Sequence, residues 1–316
     1  YKSLMNRKYF LFIVFNFIFS QAFTDISFIG SRAIGTAGTV VSNPKSSECA
    51  FYNPAGLVGS KDISFLIGYS DLYSYSFLNH NYLSIVLPAK KYFGNLYSGF
   101  SVSYQSLQTS YNKDSEAFGS FNKDLSRENS ITLSHGIDLL NDRHSSLSVG
   151  YNLNYMLFYQ APSAGVNGNG VNGLSSGESG TFTLDVGIHS SLRNKINFGA
   201  FIKNITSSRL GKGSSLTFLP RRLNVGVGYT PYPDLSTHFA LDRNMDEKRS
   251  SFRFGFEYLV NKNFEVKSGI QMSENNNRFG LGFSIYLEYF DISYSVMTHP
   301  IVDNINILEI RIATFE

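Results

Sequence analysis

The sequence predicts an all-β fold: a transmembrane antiparallel β-barrel of about fourteen strands, with a stretch of its own chain as an N-terminal hatch in the lumen. Three observations predict it. Beyond residue 60 apolar residues recur with a period of two. Most alternating segments run nine to twelve residues, the length a tilted strand needs to cross a bilayer. Their number is even, as in single-chain bacterial barrels. Composition agrees: 16% of residues are charged, against about 25% in soluble domains. Aromatics reach 15% without any Trp. Such a chain is not disordered, and the single Cys49 excludes a disulfide scaffold.

From the N-terminus, Lys2, Arg7 and Lys8 precede an apolar run from Tyr9 to Phe19, followed by Ser20-Gln21-Ala22. The run is too short for a membrane helix, and with these flanks residues 1–22 read as a secretory signal peptide. Met5 fits its start. The leader holds three of the 27 Lys and Arg and none of the 24 Asp and Glu, so 24 of each remain. The basicity belongs to the leader, and no clustered basic face points to nucleic acid.

Residues 23–60 lack the alternation and form the hatch; residues 61–316 form the barrel. The expected strands are 62–70, 79–87, 95–107, 127–138, 145–160, 181–191, 195–205, 221–230, 235–243, 251–260, 263–272, 277–286, 290–297 and 304–315. In 147–159 the apolar positions are Leu147, Val149, Tyr151, Leu153, Tyr155, Leu157 and Tyr159. Tight links such as Asn141-Asp142-Arg143 alternate with longer connections around 108–126, 161–180 and 206–219. A soluble sandwich or propeller would also alternate, but strand length, the even count and Phe and Tyr toward strand ends favour the barrel.

With the apolar sets facing lipid, the other face lines the lumen. It carries six acids, Asp185, Asp242, Glu257, Glu265, Asp291 and Glu309, and six bases, Lys203, Arg222, Arg253, Lys267, Arg278 and Arg311. A selective open pore would show rings of one sign; balance suggests pairing across a narrow lumen or with a plug. Inward glycines such as Gly187, Gly199, Gly226, Gly255, Gly269 and Gly280 mark either close approach of another backbone or barrel curvature.

Within the hatch, Asn53-Pro54-Ala55-Gly56-Leu57 is a compact turn former: Asn hydrogen-bonds locally, Pro presets φ and Gly permits the left-handed region. Together with Gly30-Ser31-Arg32-Ala33-Ile34-Gly35-Thr36-Ala37-Gly38, and with Asn197–Asn204, Pro220–Gly226 and Phe254–Tyr258 further on, this motif resembles the PorV/PorQ family, within the superfamily of FadL-type outer-membrane transporters. The resemblance covers essentially the whole mature chain. It implies a fourteen-stranded outer-membrane barrel, with lipid as its immediate partner. Its first implied function is a non-enzymatic, type IX-like protein export or surface-assembly component, with secretion or cell-surface proteins as partners. Its second is a transporter that takes a hydrophobic small-molecule ligand across the membrane; a structural or adhesive surface role remains a third.

No catalytic residue, metal site or cofactor is assigned. The six histidines have no metal-ligand spacing. His189-Ser190-Ser191 places an imidazole and a hydroxyl on one strand face but reads as lumen lining. Cys49 reads as a buried small residue, and the glycines of 165–180 sit in a polar loop with no helix to cradle phosphate.

Overall fold

The computed structural model describes residues 28–313 except 45, 94–95, 116–118, 163–172, 174, 212–215 and 275. The expected leader 1–22 and much of the 161–180 loop therefore lie outside the described residues.

Fourteen antiparallel strands close into one barrel. The first seven are β1 (Ser64–Leu72), β2 (Leu78–Phe93), β3 (Leu96–Ser115), β4 (Gly119–Asn141), β5 (Ser145–Gln160), β6 (Gly177–Leu192) and β7 (Ile196–Lys203). A two-stranded ribbon, β8 (Arg209–Leu210) and β9 (Thr217–Phe218), lies in the following connection. The wall then continues with β10 (Arg222–Tyr232), β11 (Leu235–Asn244), β12 (Ser250–Asn261), β13 (Phe264–Ser273), β14 (Arg278–Tyr286), β15 (Phe290–Met297) and β16 (Ile305–Ala313). β16 pairs with β1 from Ser64↔Ala313 to Leu72↔Ile305, so no edge is left to expose unpaired backbone, as spanning a hydrocarbon layer requires. No helix of the described residues is long and apolar enough to cross a membrane.

The period of two sets which side chain goes where. On β5, Tyr151, Leu153 and Leu157 are exposed, whereas Ser148, Asn152, Asn154 and Met156 are buried. Neighbouring strands repeat this in register: Val227, Phe239, Phe254, Ile270 and Phe279 form one lateral row outside the barrel. At one end the links are tight. Arg193 and Asn194 both have φ of 53° and Lys195 N donates to Leu192 O at 3.0 Å, the type I′ geometry that suits strand twist. The longer connections leave from the opposite end.

One expected loop is not a loop. Residues 108–115 and 119–126 continue the ladder as β3 and β4, paired from Ser98↔Ile137 out to Ser115↔Gly119 with one irregularity at Thr109/Ser110. Hydropathic alternation fades there although backbone pairing does not. A hairpin beyond the hydrocarbon layer has no apolar face to maintain, while Thr109, Tyr111 and Phe121 still favour extended backbone.

Residues 28–60 fill the lumen. They form α1 (Ser31–Gly35), α2 (Cys49–Tyr52) and three 3-10 turns, Val40–Ser42, Ser46–Glu48 and Pro54–Gly59. Most described residues from 28 to 57 are buried. Such short helical pieces are not stable alone; the barrel wall supplies their partners.

Candidate functional site

The site is the contact between the hatch and the inner wall, beginning with the absence of side chains. Inward glycines pair with one another across neighbouring strands: Gly99↔Gly136, Gly136↔Gly150 and Gly150↔Gly187 cross β3 to β6. Gly199↔Gly226 joins β7 to β10, and Gly255↔Gly269 and Gly269↔Gly280 cross β12 to β14. These rows are where the hatch backbone touches the wall. A methyl on Gly199 would lie 2.0 Å from Val41 O, and one on Gly280 2.2 Å from Ile34 O. Of the two readings of the inward glycines, close approach accounts for these contacts.

The Asn53–Leu57 motif lies against β3 to β6 and is buried throughout. Asn53 Nδ2 donates to Val41 O at 3.1 Å and to Ile188 O on β6 at 2.9 Å, while its Oδ1 accepts from Ala55 N at 3.2 Å. Pro54 opens the 3-10 turn. Gly56 differs from expectation: its φ is not positive. A β-carbon there would stand 2.6 Å from the Pro44 ring, so crowding and not a left-handed turn explains this glycine. Cys49 is free and buried against Leu57 and Val86.

The expected luminal charges sort into clusters. Arg253 pairs with Asp242 at 3.4 Å, and Arg222 Nε stands 3.7 Å from the same carboxylate. Arg253 also donates to Gly38 O at 3.4 Å and covers the Phe28 ring, 4.8 Å from its centroid. Lys267 pairs with Glu265 at 3.3 Å, and Arg311 Nε donates to Asp291 Oδ2 at 2.7 Å. Glu257 binds Arg32 of α1 and stands 3.6 Å from His238 Nε2. Glu309 accepts from Ser31 N at 3.1 Å and from Tyr82 OH at 2.7 Å. Asp185 accepts from Asn154 Nδ2 and Asn204 N, both at 2.8 Å, and Asn152 donates to Ala50 O at 2.8 Å. Lys203 and Arg278 stand outside these pairs; Arg278 Nε donates to Asn276 Oδ1 at 3.3 Å. The strand-only count of six against six omits buried charges on both partners: Arg32 and Glu48 of the hatch, and Glu128 and Asp138 of β4. The β4 pair share the even phase of 128–138 with Ser130, Thr132, Ser134 and Gly136, which was the available signal. The hatch pair had no periodicity to betray them.

A second part of the interface is apolar. Leu66 and Leu72 of β1, Leu107 of β3, Met297 of β15 and Ile305 and Ile307 of β16 point inward, against Phe28, Ile29 and Ile34 of the hatch. At the long-loop end Tyr73 packs on this seam, in a left-handed conformation with φ of 63° that is uncommon for a bulky residue. Its ring meets that of His299 at 5.4 Å between centroids. No group of three or more His, Cys, Asp or Glu among the described residues is placed to hold a metal.

A scan against protein-family models and a search of curated proteins returned no match. Solved structures do match the fold. The Ralstonia pickettii toluene transporter TbuX aligns with TM-score 0.59 at 12% identity, over 92% of this chain and all of that one. The Pseudomonas putida toluene transporter TodX aligns with TM-score 0.59 at 10% identity, over 90% and 96%. A Pseudomonas aeruginosa FadL homologue aligns with TM-score 0.56 at 9% identity, over 89% and 97%. The chain thus has the fold of FadL-type fourteen-stranded barrels. At 9–12% identity these three matches show the fold alone.

Proposed function

We propose that the chain is a non-enzymatic outer-membrane barrel that passes small hydrophobic molecules inward past its hatch, the second of the three readings the sequence offered. The observation that carries this is the buried apolar seam. Lumen positions ordinarily take polar residues, yet Leu72, Leu107, Met297, Ile305 and Ile307 face inward in one cluster packed against the hatch. Hydrophobic ligands are held by concave, mostly apolar surfaces with few polar groups. The fold similarity to two toluene transporters supports the same reading. The expected leader and the alternation of tight and long connections support a periplasmic side for the tight turns. The luminal charge network holds the hatch.

Uptake by intact cells is the appropriate assay, because lipopolysaccharide, not phospholipid, is the barrier to an apolar solute. Cells of a Gram-negative host expressing the chain should take up labelled toluene faster than cells expressing an unrelated barrel. Ile307→Asp, which sets an unpaired charge in the seam, should abolish the gain while the protein still reaches the outer membrane. Equal uptake with and without the native chain would reject the proposal.

A further inference from the structure

We infer that the barrel contains a second, aqueous route at its tight-turn end, a path for small hydrated solutes that the Asp291–Arg311 ion pair keeps shut. Two cavities adjoin there. The outer one, about 250 Å³, opens between the 59–62 stretch, the start of β1 and the β14–β15 connection. The inner one, about 80 Å³, lies between hatch and wall and is lined by charged groups including Glu48, Glu265, Lys267 and Glu309. Asp291 and Arg311 are the two residues common to both linings.

The lining selects the passenger. A water needs roughly 10–15 Å³ of such space and two to four polar partners, so the inner cavity has room for several, among carboxylates, ammonium and hydroxyls. Glu48 Oε2 is buried without a hydrogen-bond partner and has Arg32 Nη1 only at 3.9 Å, a group that water satisfies and a hydrocarbon does not. The barrier is light. Asp291 and Arg311 are registered neighbours on β15 and β16, so the pair parts by side-chain rotation without moving a strand or the hatch. The Arg311 side chain is 34% exposed and that of Asp291 14%, so water reaches the pair from the outer cavity.

The test is conductance of the full-length barrel in planar lipid bilayers, a readout independent of hydrocarbon uptake. The native protein should show small, infrequent steps. The double variant Asp291→Ala/Arg311→Ala should raise the conductance several-fold, and the exchange Asp291→Arg/Arg311→Asp should bring it back. A double-alanine barrel that is folded by heat-modifiable mobility yet conducts like the native one overturns the inference. A second readout avoids disturbing the pair. In a Cys49→Ala background, Ser293→Cys, on the inner cavity, should react with a water-soluble thiol reagent. Labelling that is absent counts against it equally.

Discussion

Asn53 joins three pieces of chain with one amide. Its donors reach Val41 O in the hatch and Ile188 O in the wall, and its acceptor caps Ala55 N. Asn53→Ala leaves these groups buried and unpaired, at about 1–3 kcal/mol for the group left most isolated; chemical denaturation in lipid vesicles would measure the loss. Asn53→Asp, although isosteric, should be at least as harmful, because it replaces the amide donor by an acceptor facing two carbonyl oxygens. A destabilisation no larger than that of an exposed substitution would show that the motif is not a fastening point. Outside the membrane, Asp142 plays a smaller version of this part in the β4–β5 turn. Its carboxylate accepts from His144 N at 2.7 Å, Ser145 N at 2.8 Å and Ser145 Oγ at 3.0 Å, and these bonds hold its pKa below the usual carboxylate range. Because the folded value lies below the unfolded one, the stabilisation is complete above about pH 4 and fades as pH falls through the folded value. Asp142→Ala should therefore destabilise at neutral pH and become silent in strong acid. An effect of Asp142→Ala that stays the same down to strong acid would contradict that assignment.

At the scale of elements, the paired glycines make the hatch and the wall one structure. Gly199→Ala should cost about 1–3 kcal/mol, the usual penalty for overpacking, since its methyl would fall 2.0 Å from Val41 O, backbone that cannot step aside. Gly177→Ala at the start of β6, where nothing lies within 4 Å, is the matched control and should be neutral. Similar effects at both positions would mean that these glycines serve barrel curvature. The same elements show what could be foreseen. All fourteen wall strands were legible because lipid outside and hatch inside write opposite demands on alternate residues. Where lipid ends, that demand ends, and the alternation predicts a loop where β3–β4 backbone pairing continues to Ser115↔Gly119. The hatch was legible as a segment because it lacks the alternation, but its contacts were not. Arg32 reaching Glu257 and Ser31 N reaching Glu309 span more than 200 residues, and no local pattern encodes them. Gly56 shows the same limit: the Pro44 ring that excludes a side chain there lies twelve residues away.

For the whole molecule, low charge and abundant Phe and Tyr describe a surface and not a core. On β12, Phe252 and Phe254 are half exposed outside, while Arg253 between them is 2% exposed and paired with Asp242. Two adjacent residues thus face opposite solvents, and a one-residue slip of register would exchange them. The lateral row through Val227, Phe239, Phe254, Ile270 and Phe279 has only apolar side chains, which water would not reward but a hydrocarbon layer would. Phe254→Arg is the decisive substitution. If that row faces lipid near the middle of the bilayer, the guanidinium should lower folding stability in vesicles by about 2–4 kcal/mol, and less if placed near either interface. Were the row instead covered by protein or bathed by water, the cost would not depend on depth. A series placing Arg successively at Phe252, Phe254 and Tyr258 measures that dependence. A flat profile would remove the membrane from the account, and with it the explanation of why a chain this apolar outside keeps its charges within.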